Sequence, residues 1–205
     1  MHQLTLLDVP IAGLYPLDVD EANALVELWG HRLGACHRPF GQQAFCLRVQ
    51  GEALSVAISA SIVSATVAGY RRNQVVECAR LCSVPGVTWA NRLMVRLWRE
   101  VCAPLWPYWP VHAAISYSHN AYHRGELYRT DGWTKEKDDC GSMGGGAWTR
   151  QRYATEAVVG KKTLWVWRYG EERQRAQERE RLHPLEAWSQ GELSMLNPVS
   201  AQRKA

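Results

Sequence analysis

The order of elements in this sequence predicts a mixed α/β sheet with helices on both faces, and three observations carry that prediction. A helix-period segment comes first, with Ala22, Leu25, Val26 and Trp29 on one face. Two strand-like runs, AFCLRVQ and ALSVAISASIV, then flank a turn at Gly51 and Glu52. Finally, VVECARLCSV, a helix and VHAAISY make a strand, helix, strand unit, which is nearly always right-handed with parallel strands. Those two strands are expected to lie parallel or splayed, sharing one open end where ligands bind.

Each element has a local cause. Asp18 and Glu21 make a capping box ahead of the first helix, which is expected to run to about Leu33. A loop with Gly, Pro and two His, HRLGACHRPFGQQ, leads into the strand pair. The polar turn AGYRRNQ precedes the central strand, which ends at Pro85 and Gly86, and Thr88 is placed to cap the next helix. In that helix Ala90, Leu93, Met94, Leu97 and Val101 form an apolar stripe, with Arg92, Arg96 and Arg99 opposite, facing water or phosphate. APLWPYWP stops it, because proline cannot donate to the helical ladder. A short helix around Glu126 to Arg129 follows, then a Gly-rich charged loop through Gly146, then late strands at YATEAVV and TLWVWRY. The segment EERQRAQERERL is polar all round and reads as a solvated helix. Two parts are therefore expected: a main domain over 1–170, and a charged helix with a partly ordered tail over 171–205.

With 205 residues, 46% of them hydrophobic, the chain can bury a core of ordinary size. A net charge of +4 permits a phosphate-rich partner without requiring one. The six cysteines include no CxxC pair, and no secretory stretch opens the sequence, so a reduced, cytoplasmic protein is expected. Cys78 and Cys82, four apart on a strand, are expected to share one face and pack in the core. No apolar run reaches the length of a membrane span.

Chemistry concentrates in Ile115 to Trp133, ISYSHNAYHRGELYRTDGW, where a strand delivers Ser, His and Tyr side chains into a Gly-broken turn. Such groups orient substrates, move protons or hold metals. Bland readings stand beside each. Tyr117 fits the core as well as catalysis, His123-Arg124-Gly125 fits a simple turn, and Arg80 fits an ion pair that ties the sheet. His119 and His123, with His31, Cys36 or His37, could ligate a metal, but no complete ligand spacing is present and no metal residues are assigned. Arg71, Arg72, Arg92, Arg96 and Arg99 with Trp106, Tyr108 and Trp109 suit DNA backbone contact and base stacking, or else a solvated helix face and a packed elbow.

The predicted element order is also that of the GNAT acyltransferase fold, whose central strands splay and whose coenzyme A pyrophosphate sits on loop amides at a helix start. Here that loop is SVPGVTWAN, with Val84, Pro85, Gly86 and Asn91 as the cofactor-binding candidates. More narrowly, residues 77–133 resemble the Mom family of phage DNA-modification proteins. Arg80-Leu81 matches its Arg-Leu pair, Ser116-Tyr117 its Ser-Tyr-x-Asp element, His123 and Gly125 its His-x-Gly, and Tyr128 and Trp133 its closing aromatics. His119 stands where the family has Asp, Asn91 where relatives place Ser, and the usual Gly-x-Gly/Ala pyrophosphate signature is missing.

The resemblance implies addition of a small acyl-derived group to the exocyclic amine of adenine in duplex DNA, with the base extruded, shielding phage DNA from restriction. It implies acetyl coenzyme A or a related acyl donor and a host-cytoplasm location, and leaves a metal requirement open. It assigns Arg80, His123, Tyr128, His119 and Ser116 to catalysis: Arg80 electrostatic at the donor or a phosphate, His123 in proton transfer, Tyr128 at the leaving group. Glu77, three residues from Arg80 on a strand, is expected on the opposite face. Two alternatives keep the fold: acylation of a small amine or protein, and a non-catalytic binding module.

Overall fold

The computed structural model describes residues 12–140 and 160–170, and the chain divides into two units, Met1–Arg168 and Tyr169–Ala205. The strand expected over 153–159 and the helix and tail expected over 171–205 lie outside the described residues. Among the described residues no helix is long and apolar enough to cross a membrane.

The elements in chain order are β1 (Ala12–Leu17), α1 (Val19–Leu28), β2 (Gln42–Val49), β3 (Glu52–Ala60), β4 (Thr66–Val67), β5 (Tyr70–Arg71), β6 (Val75–Ser83), α2 (Thr88–Leu97), β7 (Ala113–His119), α3 (Glu126–Thr130), β8 (Thr134–Cys140) and β9 (Lys162–Arg168). Seven of these strands form one mixed sheet in the order β1-β2-β3-β6-β7-β9-β8, while β4 and β5 pair separately. Only β6 and β7 run parallel, and their ladder spans just Val75–Glu77 against Ala113–Ile115 before the strands part. The mixed sheet with splayed central strands is thus present.

Alternation along β3 assigns the faces. Val56, Ile58 and Ala60 pack with Ala22 and Val26 of α1. From the other face Ser59 Oγ accepts the Trp98 indole N–H at 2.8 Å, and Ser55 Oγ bonds Asn91 Oδ1 of α2 at 3.0 Å. Helices therefore cover both faces. The β2–β3 connection is a two-residue turn at Gln50 (φ 51) and Gly51 (φ 85), the twist-matched hairpin turn with two left-handed residues.

Several local expectations are corrected. Asp18 does cap α1, accepting from Asp20 N at 2.8 Å, but the helix ends at Leu28, well short of Leu33, because Gly30 turns left-handed (φ 71). Val87, not Thr88, is the N-cap of α2, with no side-chain cap. The long helix continues past Leu97 as a π turn, Trp98–Cys102, which rotates the buried face. Trp98 and Cys102 go inside, Leu93 and Val101 are left exposed, and Arg99 is buried rather than facing water or phosphate. Finally, the charged segment Thr134–Cys140 is not loop but edge strand β8, antiparallel to β9. Its run of charged side chains is what a sheet edge tolerates and a buried strand does not.

The most consequential irregularity is a bulge in β6. Ile58 pairs with Arg80 and Ser59 with Cys78, leaving Ala79 as the extra residue. It flips the alternation midway through the strand. Cys78 and Cys82 consequently face opposite sides, Cys78 with Ser59 and Cys82 with Val56, against the expectation that they share one. Glu77 and Arg80, expected on opposite faces, both lie on the α1 side, opposite Ala60 and Ile58.

Candidate active site at the strand divergence

Where β6 and β7 part, Ser116 takes over the ladder's work: its Oγ donates to the Cys78 carbonyl at 3.1 Å. The Tyr128 hydroxyl lies 2.7 Å from the same Oγ. Since the one serine proton goes to Cys78, Tyr128 is the donor of that pair. Its ring stacks on Trp165 with centroids 5.8 Å apart and meets the edge of Trp133 at 5.4 Å. Gly125 makes this packing possible, because a Cβ there would stand 2.2 Å from Trp165 Cζ2. Burial, with Cys78 nearby, pushes the Tyr128 hydroxyl pKa well up, so it stays protonated across the physiological range.

Behind Tyr128, Asp131 anchors the α3 end. It accepts from Arg96 Nε at 3.0 Å, Arg99 Nε at 2.6 Å and Trp133 Nε1 at 3.0 Å. The Arg99 guanidinium also lies over the Trp167 ring, 3.8 Å from its centroid. This side of the divergence is aromatic and closely paired.

The α1 side is charged. Glu77 is buried, and its Oε1 accepts from Arg38 Nη2 at 3.1 Å. Burial raises its pKa, while Arg38, Arg80 and Lys162 pull it back. Lys162 reaches this side because it pairs with His119 and alternates with Leu164, which lies opposite Tyr117. Its ammonium is half-buried, and burial followed by Arg38 and Arg80 lowers its pKa, an effect that Glu77 opposes. Tyr117 points here too, its pKa raised by burial and by Glu77.

A rim closes over these groups from the α1–β2 loop and the β7–α3 turn. Asn23 ties the loop, accepting from Cys36 N at 2.7 Å and donating to Cys36 O at 3.2 Å. Arg32 lies over the Tyr122 ring at 3.9 Å, and His119 meets Tyr122 at 4.7 Å between centroids. The His31 pKa falls to about 4 through burial, Arg80 and His123. His123 is exposed at the rim, and its pKa is lowered by partial desolvation, Arg32 and His119. Both imidazoles are neutral at pH 7.

Among the residues singled out in the sequence, Ser116 and Tyr128 meet directly, on the α2 and α3 side of the sheet. Arg80, His119 and His123 gather on the other. Arg80 spends its donors on structure: Nε to Gly34 O at 2.7 Å, Nη1 to Ala79 O at 2.7 Å, and Nη2 to Ala35 O at 2.9 Å and Leu33 O at 3.3 Å. It clamps the α1–β2 loop and has little donor capacity left for a substrate. In the β6–α2 loop the Val84 amide is already bonded to Leu54 O at 3.0 Å, and Asn91 is tied to Ser55. Pro85 and Gly86 are exposed, and the amides of Gly86, Thr88 and Trp89 have no partner among the described residues. Trp106, Tyr108 and Trp109 form a mutually packed elbow, with Trp106 and Tyr108 centroids 4.9 Å apart. Arg72 stacks on Phe40 at 4.2 Å and bonds the Val63 carbonyl at 2.7 Å. Among the described residues no three His, Cys, Asp or Glu side chains group so as to hold a metal ion.

No local pattern marks Arg38 or Lys162, His31 enters the sequence argument only as a remote metal ligand, and Glu77 only as a residue expected on the face opposite Arg80. For Glu77 a signal existed: it is the one acid inside the apolar run VVECARL, and a buried acid requires a partner.

No protein-family model matches the sequence, and no curated protein does. Solved structures do match. A probable GNAT-family acetyltransferase from Chromobacterium violaceum superposes with a TM-score of 0.50 at 12% identity, over 78% of this chain and 88% of that one. An N-acetyltransferase from Staphylococcus aureus gives 0.51 at 8% identity, over 78% and 98%. The chain has the GNAT acetyltransferase fold.

Proposed function

We propose that this protein transfers an acyl group from an acyl-coenzyme A donor to an amine, and that the amine is the exocyclic nitrogen of adenine in DNA. The observation that carries the acyl-transfer reading is the parting of β6 and β7 after Glu77 and Ile115, with a buried acid on one side and a buried phenol on the other.

The residues present fit such a donor. Beyond Glu77, β6 runs on to Ser83 with no strand among the described residues bonded on its β7 side, an edge suited to an extended amide-bearing arm. At the start of α2 the unpartnered amides of Gly86, Thr88 and Trp89 suit a diphosphate. The donor supplies an activated thioester carbonyl. Glu77, its pKa raised by burial, accepts the proton that the amine sheds as its bond to carbon forms. Tyr128, kept protonated, is the proton source at the divergence: its hydrogen, which rests on Ser116 Oγ, must turn to the departing sulfur as the thioester breaks. Ser116 holds the hydroxyl in place until then. His123, neutral and exposed, is placed to exchange protons between rim and solvent.

The adenine acceptor rests on the Mom-like motif residues and on the cationic lining of Arg32, Arg38, Arg80 and Lys162. Plasmid DNA from cells expressing the chain, digested and analysed by nucleoside mass spectrometry, tests it. A new deoxyadenosine adduct is expected. Unmodified nucleosides from a protein that binds acetyl coenzyme A would move the acceptor to a small amine or protein. Absence of calorimetric binding at millimolar acetyl coenzyme A would overturn acyl transfer altogether.

A further inference from the structure

Around Glu77 the charges do not balance. Arg38, Arg80 and Lys162 act on one carboxylate, and among the described residues the Lys162 ammonium has neither a hydrogen bond nor an ion pair. The acids of β8 are committed elsewhere: Asp139 to Lys161 at 3.0 Å, Asp138 to Lys135 at 2.7 Å, and Glu136 to Arg168 at 2.5 Å. Among the described residues the Arg80 guanidinium donates only to neutral carbonyls. Cys36, Tyr117 and Cys140 all have pKa values raised chiefly by burial, so none supplies negative charge at pH 7. Among the described residues three cations thus share one carboxylate, and half-buried charge in excess is costly unless a ligand offsets it.

We propose that Arg38 and Lys162, backed by the charge of Arg80, form an anion subsite that holds a phosphate of the acceptor nucleotide beside Glu77. The proposal rests on the reading of the α1 side as the acceptor site. It assigns a separate task there: Glu77 handles the proton while the two cations fix the nucleotide's register. Arg38 is suited to both, since one Nη2 contact to Glu77 leaves other guanidinium donors for phosphate oxygens. Lys162 contributes a point charge at the end of β9, beside the rim formed by His119.

Calorimetric titration of the full-length protein with 5′-deoxyadenylate and with deoxyadenosine tests this without catalysis. The nucleotide should bind at least roughly tenfold tighter, the size of one charge-assisted contact. Lys162→Gln should abolish that preference, Lys162→Arg should keep it, and Lys161→Gln on the adjacent exposed lysine should leave it unchanged. Equal affinity for the two probes, no binding of either, or a preference that survives in Lys162→Gln overturns the subsite. An adduct on DNA without a phosphate preference would sink the subsite alone, whereas the preference without an adduct would support it and count against the DNA reading.

Discussion

The two sides of the β6–β7 divergence are built on opposite plans. On the α2 and α3 side Tyr128, Ser116, Asp131, Arg99 and the indoles of Trp133 and Trp165 answer one another: Trp165 Nε1, for instance, donates to Ser118 Oγ at 2.9 Å. On the α1 side three cations share one acid. Folding alone completes the first arrangement, and a polar network closed in this way holds a hydroxyl in one place. The second is left charged, which costs stability and makes sense where a ligand supplies what is missing. The contrast separates a preset proton donor from a receptive surface.

The largest stability effect should come from breaking the closed side. In Asp131→Ala the buried Arg99 loses the carboxylate that its Nε and Nη2 hold, while the Glu100 side chain that it also pairs with is 55% exposed. A loss of about 3 kcal/mol is expected in urea denaturation, and a loss below about 1 kcal/mol would mean the network is not closed as described. Next comes Gly125→Ala, which forces a Cβ to 2.2 Å from Trp165 at a φ of +73. It should cost about 1–3 kcal/mol and, by displacing Tyr128, lower turnover more than it raises the substrate KM.

The smallest effect belongs to the charged side and to pH. His31 has a folded pKa of about 4 against an ordinary 6.5, so between those values the unfolded chain binds a proton that the folded one refuses. Stability should therefore fall as pH drops from about 6.5 to about 4. His31→Asn should flatten that part of the pH–stability curve, and an unchanged slope would show that His31 is not held neutral.

Periodicity and turn chemistry made the β2–β3 hairpin, the β6–α2–β7 unit and its parallel, splayed strands readable from sequence, because each depends on nearby residues. What escaped depends on single-residue register. The extra residue at Ala79 moves Glu77 to the same face as Arg80, and nothing in VVECARL marks a bulge. The π turn after Leu97 similarly carries Arg99 from the expected outer face into contact with Asp131. Lys162 and Arg38 meet Glu77 across long sequence separations, which no local pattern encodes. Within the site, the motif residues Ser116 and Tyr128 were legible and do meet, whereas the task expected of Arg80 was not: its guanidinium holds a loop.

The most direct test is free-thiol release from acetyl coenzyme A in the presence of adenine-containing DNA, compared for the native protein, Glu77→Gln and Tyr128→Phe, each verified as folded. The division of labour between Glu77 and Tyr128 requires DNA-dependent release by the native protein and a fall of roughly 10²- to 10⁴-fold in each variant, the usual worth of a positioned proton acceptor or donor. Release undiminished in both variants would contradict it.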